Sequence, residues 1–153
     1  EIALIKLASN TFTISIIRAP MIYGKNSKGN FSRLRKFSLN WGLWPDYQNK
    51  RSMLYINNLS LFIEHILNRE NSGTYHPQNK EWITTVEMVK HIRELNDKKT
   101  YSIRILDIFV NIGLKHFKTF QKLFGSFYYD FNEDILDSFL DLNSSLKEIE
   151  QDL

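Results

Sequence analysis

The sequence predicts an α/β fold, mostly helical with a few short strands. Three patterns carry that prediction. Residues 11 to 16 alternate strictly, with Phe12, Ile14 and Ile16 on one face and Thr11, Thr13 and Ser15 on the other, which is strand periodicity. Leu59, Phe62, Ile63, Ile66 and Leu67 recur every three or four residues and form one apolar helical stripe. Leu106, Phe109, Val110, Gly113, Phe117, Phe120 and Phe124 repeat at the same spacing further on.

In chain order, residues 2 to 8 read as the tail of a helix, and Asn10 breaks it. The strand of residues 11 to 16 continues through Ile17, and Pro20 stops its ladder because proline has no N–H to donate. Lys25 to Asn30 is a polar loop punctuated by Gly24 and Gly29. A helix follows from Phe31 to Trp41, basic through Arg33, Arg35 and Lys36. Gly42 to Lys50 reads as a loop around Trp44-Pro45-Asp46, and Ser52 to Ile56 as a short strand. Asn57 or Asn58 is a suitable N-cap for the next helix. Gly73 to His76 starts a strand that Pro77 ends, and Thr84 with Glu87 forms a capping box for a helix reaching about Leu95. The aromatic stretch after Leu106 is one long helix or two broken at Gly113. Two shorter helices are expected at the end, near Ile135 to Leu140 and near Leu146 to Leu153.

The 153 residues suit one domain, and 42% hydrophobic with 14% aromatic content supports a packed core rather than disorder. The chain starts at Glu1 and its first methionine is Met21, so a piece of a longer protein is expected. There is no cysteine, which excludes disulfides, thiolate nucleophiles and Cys-ligated metals. No His/Asp/Glu cluster has metal-ligand spacing, and His65, His91 and His116 are expected to be surface or half-buried helix residues. No apolar run approaches the length that spans a bilayer. The net charge of +3 is small but uneven. Residues 98 to 129 hold six basic residues against Asp107 alone, and the last 24 residues are acidic. Such a basic stretch can face phosphates, an anionic membrane or nucleic acid.

Two motifs carry chemistry. Arg18-Ala19-Pro20-Met21-Ile22-Tyr23-Gly24 closes the first strand-like run. Arg51-Ser52-Met53-Leu54-Tyr55-Ile56-Asn57-Asn58-Leu59 follows a helix and loop. In this order and spacing they resemble the back half of the extended short-chain dehydrogenase/reductase family, the NAD-dependent epimerases and dehydratases of nucleotide sugars. The resemblance extends across residues 1 to 153, and Gly29-Asn30-Phe31, Trp44 and Tyr75-His76-Pro77-Gln78 fall in matching order. The stretch from Lys98-Lys99 through Tyr128-Tyr129-Asp130 resembles a bacterial branch linked to surface-polysaccharide synthesis. The chain has no Gly-rich dinucleotide fingerprint and no Tyr-x-x-x-Lys pair.

The resemblance therefore implies the C-terminal, substrate-binding portion of an extended Rossmann-type enzyme, of UDP-glucose 4-epimerase type. The NAD-binding part would lie upstream, and the fragment would have no turnover of its own. Ala19 and Pro20 would lie beside the nicotinamide and Met21 would approach the sugar, although methionine cannot usefully hydrogen-bond a hydroxyl. Asn30 and Phe31 open the helix of the substrate lobe. An Asn amide there both donates and accepts, and helix-start N–H groups favour phosphate oxygens, but Asn also caps helices. Trp44 would stack on the nucleobase and Arg51 would reach the pyrophosphate; in the alternative, Trp44 is core and Arg51 a solvated loop residue. Arg104 is the nearest candidate for a second phosphate-binding arginine. The expected partner is a UDP-sugar or another nucleotide sugar, with no nucleic acid and no stable membrane insertion. Exposed strand edges favour a homodimer, and the cytoplasm is the natural compartment. Two other readings stay open: a non-catalytic nucleotide-sensing relative, and a basic module for membrane or nucleic acid.

Overall fold

The strands pair in three short parallel ladders, as a computed structural model describes them for residues 1–9, 11–69, 72–130, 134 and 136–151. β1 (Ser15–Ile17) pairs with β5 (Gly73–Tyr75), and β2 (Met21–Tyr23) pairs with β4 (Met53–Tyr55). β3 (Leu43–Trp44) pairs with β6 (Tyr101–Ser102). Between them run α1 (Ile2–Ile5), α2 (Asn30–Asn40), α3 (Ile56–Arg69), α4 (Thr85–Glu94), α5 (Leu106–His116), α6 (Lys118–Phe124) and α7 (Leu142–Gln151).

Pro20 marks a change of partner rather than an end of pairing. The Arg18 N–H still donates to the Tyr75 carbonyl, 2.9 Å away. Beyond the proline, Met21 opens a new ladder against Met53. A residue without an N–H fits this joint, where one neighbour is left and the next taken up. The alternating run from residue 11 is less regular than its pattern implies. Only Ser15–Ile17 is strand, and Phe12 is exposed.

Two apolar clusters result. The larger lies among α2, α4, α6 and α7 over β2 and β4, and includes Tyr23, Phe31, Leu34, Trp44, Met88 and Ile92. The smaller joins Leu54, Phe62, Ile66 and Phe139, with Ile17, Ala19 and Tyr75 packed against it. The Thr84–Glu87 capping box forms as its spacing requires: the Glu87 N–H donates to Thr84 Oγ1 at 3.0 Å and the Thr84 N–H to Glu87 Oε2 at 2.7 Å.

A buried polar seam crosses both clusters. Asn79 Oδ1 accepts from the Tyr55 N–H at 3.1 Å and from Asn58 Nδ2 at 3.1 Å. Asn79 Nδ2 donates to the Tyr23 hydroxyl at 2.7 Å, and that hydroxyl lies 2.6 Å from Ser145 Oγ on α7. Asn58 exchanges two 2.9 Å bonds with the backbone of Leu140.

Several expectations are corrected here. Asn57 and Asn58 do not cap α3, which already begins at Ile56; the Asn58 amide is instead wholly buried in the seam. Residues 43 and 44 of the expected loop form β3. The aromatic run does break into two helices, but at Phe117 and not at Gly113. Gly113 serves packing: a Cβ there would lie 2.4 Å from the Phe120 ring, so only glycine lets α6 fold back on α5. Leu136 to Leu140 contains turns rather than a helix, and Ile135 lies outside the described residues. α7 starts at Leu142, four residues before the expected Leu146; the expected end at Leu153, like Asn10, lies outside the described residues. His65 and His91 are half-buried and His116 is exposed, as expected.

Two predictions follow from the seam. Asn79→Ala strands Tyr55, Asn58 and Tyr23 groups away from water, and urea unfolding is expected to show a loss of about 2–3 kcal/mol. Burial also pushes the Tyr23 hydroxyl up to about 12, against its hydrogen bonds to Ser145 and Asn79. Folding therefore favours the neutral phenol. That stabilisation is full below the ordinary value of 10.0 and fades as pH rises toward about 12. Stability measured from pH 9 to about 12 should fall more steeply in the parent than in Tyr23→Phe; parallel curves would refute the assignment.

Candidate functional site: a cleft around Arg51

Arg51 stands just before β4 and its backbone is held from two sides. Its N–H donates to the Ile83 carbonyl at 3.0 Å and its carbonyl accepts from the Ile83 N–H at 3.1 Å. On the other side Phe127 N–H donates to Lys50 and Ser52 N–H donates to Phe127, each at 2.9 Å. This clamp turns the side chain inward, where Nη1 donates to the carbonyls of Leu123 at 3.3 Å and Gly125 at 3.0 Å. Those carbonyls lie at the C-terminal end of α6, where a cation is favoured.

The guanidinium is only partly satisfied. Arg51 Nε is buried with no hydrogen-bond partner among the described residues. No carboxylate pairs with it among the described residues either, and burial alone lowers its pKa. Arg51 lines a narrow cleft with Met21 of β2, Asn30 and Leu34 of α2, Thr85 of α4, and Lys122 of α6.

Asn30 is the first residue of α2, and Gly29 takes the N-cap place with φ 114°, a backbone conformation suited to glycine. No side chain caps α2 and no acidic residue sits in its first turn. The expected capping role of Asn30 is therefore not seen. The cleft thus gathers a buried guanidinium, the open N-terminus of a helix and an exposed ammonium. That donor set suits a phosphate oxygen, but the cleft measures only about 10 Å³, room for one water, and is closed to a diphosphate as it stands. Among the described residues no group of His, Asp and Glu could hold a metal ion.

Three of the residues singled out from sequence, Met21, Asn30 and Arg51, meet in this cleft. The other five lie elsewhere. Phe31 is buried with its ring 5.5 Å from that of Tyr23. Trp44 is buried in the larger core, its Nε1 donating to the Trp41 carbonyl at 2.8 Å, and it faces a different, apolar groove. Arg104 is on the surface with a side chain 90% exposed and its Nε 3.4 Å from Asp46. Ala19 is half-buried against the smaller cluster and Pro20 is buried, both at the carboxyl end of β1. Ligands commonly bind at that end of parallel strands. Lys122 and Thr85 were not anticipated. Lys122 sits in a run of phenylalanines, and its spacing does not say that α6 docks beside the start of β4.

No family model and no curated protein sequence matches the chain. Solved structures do match its shape. A human epimerase family protein determined with NADPH aligns with 99% of this chain and 52% of its own, at 14% identity and a TM-score of 0.67. UDP-N-acetylglucosamine 4-epimerase from Bacillus cereus aligns with 98% of this chain and 50% of its own, at 16% identity and a TM-score of 0.59. dTDP-glucose 4,6-dehydratase from Bacillus anthracis, determined with NAD, aligns with 90% and 43%, at 16% identity and a TM-score of 0.53. The fold is α/β and matches about half of each of these Rossmann-type folds. The chain spans about half the length of the structures it matches.

The geometry separates structural from ligand-facing roles. Arg51→Ala leaves two helix-end carbonyls unpaired and is expected to cost about 1–3 kcal/mol in denaturant unfolding. Asn30→Ala removes no cap, and its unfolding midpoint should correspond to a change within about 0.5 kcal/mol.

Proposed function

We propose that residues 1–153 form the nucleotide-sugar-binding part of an NAD-dependent sugar epimerase or dehydratase, of the type acting on a UDP-sugar in surface-polysaccharide synthesis. The observation that carries this reading is the buried Arg51 guanidinium, whose Nε has no partner among the described residues, beside the open N-terminus of α2. The structural likeness to enzymes named for nucleotide-sugar chemistry supports the same reading.

In this proposal the cleft of about 10 Å³ widens by a movement of α6 to admit the diphosphate, which Arg51 and the first turn of α2 then hold, and the Asn30 amide bonds a phosphate or sugar oxygen. Met21 forms the apolar wall toward the sugar. Trp44 and Arg104 lie outside the cleft and take no part in it. Ala19 and Pro20 would wall the nicotinamide pocket, whose Gly-rich phosphate turn and Tyr-x-x-x-Lys pair this chain does not contain. When bound, NAD would supply reversible hydride removal from a sugar carbon. The residues of this chain bind and orient the sugar, which sets the geometry for that step. The rest of such an enzyme would cover the exposed Ile2, Leu7 and Leu67, which are 75%, 62% and 71% accessible. Without that cover, pairing of two copies of residues 1–153 is the expected state; for a protein using such substrates the cytoplasm is the natural compartment.

Titration calorimetry with UDP and with uridine tests this. UDP is expected to bind and uridine much more weakly, since the cleft recognises the diphosphate. Asn30→Ala should weaken UDP at least about tenfold, a loss near 1.4 kcal/mol, while the fold is retained. UDP binding unaltered in both Asn30→Ala and Arg51→Lys would defeat the proposal.

A further inference from the structure

We propose that the outer face of α5, continued across the α5–α6 joint, is a docking surface for an anionic lipid bilayer. α5 is apolar on both sides. Val110 and Gly113 are buried against the body of the protein. Away from them Ile108 and Ile112 are 57% and 50% exposed, Phe109 on the flank is 63% exposed beside the groove that Val110 also lines, and Ile105 just before the helix is 65% exposed. A helix with this much apolar surface outside its buried stripe, beside a polar strip of Asp107, Asn111 and Lys115, is ordinarily covered. The face continues through Phe117 at the joint, 59% exposed, and across an apolar groove to Trp41, 64% exposed. This is a larger exposed apolar surface than single scattered side chains produce. It lies over the larger core, whereas α3 packs on the smaller one.

Charge selects the occupant. Of the basic residues in 98–129, only Lys115 and Lys118 belong to this face: Lys98 bonds the Leu39 carbonyl, Lys122 lines the Arg51 cleft and Arg104 lies beside Asp46. Lys115 and Lys118 are exposed on either side of Phe117. Arg104 precedes the helix with its side chain 90% exposed. Two acids stand together at the start of α5, where Asp107 accepts from the Asp46 N–H at 2.8 Å and the Asp46 carboxylate lies 3.4 Å from Arg104 Nε, so the uncompensated positive charge is at the α5–α6 joint. A second copy docked through this face would bring the two sets of lysines together, which repulsion opposes. A bilayer with anionic headgroups satisfies both halves of the surface: ammonium groups meet phosphates, and Phe and Ile side chains enter the acyl boundary. Trp41 and Tyr101, both exposed at the margin, have the amphipathic rings that favour the headgroup level. α5 has 11 residues. At roughly 1.5 Å per residue it is far shorter than the roughly 30 Å of a hydrocarbon core, so it lies in the interface and does not span. No helix among the described residues is long and apolar enough to cross a membrane.

The test is co-sedimentation of the full chain with vesicles of phosphatidylglycerol or phosphatidylcholine at low and at high salt. The expected result is at least about tenfold stronger partitioning to the anionic vesicles, weakened by salt. Trp emission should shift to the blue on binding. Two variant pairs place the contact: Lys115→Glu with Lys118→Glu removes the charge, and Ile108→Ser with Phe109→Ser removes the apolar edge. Each is expected to weaken binding about tenfold or more without changing the unfolding midpoint or UDP binding. Equal partitioning to the two lipids, no partitioning, or binding unaltered in both variant pairs would overturn the proposal. So would a dimer in light scattering that Ile108→Ser with Phe109→Ser disperses in the absence of lipid, because the face would then belong to a second copy.

Discussion

The fold depends on one buried side-chain amide, that of Asn79. The β2–β4 ladder is three residues long, and a two-stranded pair of that length is marginal by itself. Asn79 extends it sideways. Its own N–H donates to the Met53 carbonyl at 2.7 Å, and its side chain bonds Tyr55, Asn58 and Tyr23. Four elements, β2, β4, α3 and, through Ser145, α7, are thereby fixed in one arrangement. In a medium from which water is excluded, each of these bonds is stronger than at the surface, and each partner is costly to leave unpaired. Apolar contacts could hold these elements together, but they would leave more freedom in register than a network of directional bonds does.

Two buried arginines show how the same chemistry serves scaffold and site. Arg93 is 6% exposed at the end of α4. It donates to carbonyls of Ser38 and Trp41 at the end of α2, and to Lys99 and Thr100. All three of its nitrogens have partners, and it is a staple. Arg51 also neutralises a helix end, but through Nη1 alone. The residue that anchors α6 therefore keeps one donor, Nε, buried and without a partner among the described residues beside the cleft. Its fixed position comes from the Ile83 and Phe127 backbone on either side. A guanidinium held in this way loses little freedom when it meets an anion.

How much was legible in the sequence followed the range of the forces involved. The Thr84–Glu87 cap, the α3 helix and the strand after Ser52 are local patterns, and they formed where the pattern placed them, although Ile63 and Leu67 of the α3 stripe stay exposed. The site was half legible: Met21, Asn30 and Arg51 converge, whereas Trp44, Phe31 and Arg104 do not join them. Trp44 and Phe31 went into the core because burying a large ring outweighs an exposed platform. Lys122 entered the cleft only because Gly113 lets α6 fold back on α5. Asn58 reads as a cap, since Asn is favoured there, but the chain enters α3 two residues earlier and the amide finds better partners inside.

The sequence by itself determined the class of fold, most helix positions, the absence of thiol chemistry and the concentration of positive charge in residues 98 to 129. These depend on composition and on neighbours three or four residues apart. The tertiary structure alone decided which strand Pro20 hands the chain to, which arginine is left with a free donor, and that α5 presents an apolar face outward. Those outcomes depend on groups far apart in the chain, such as Tyr23 with Ser145 or Arg51 with Leu123, whose meeting no local spacing encodes.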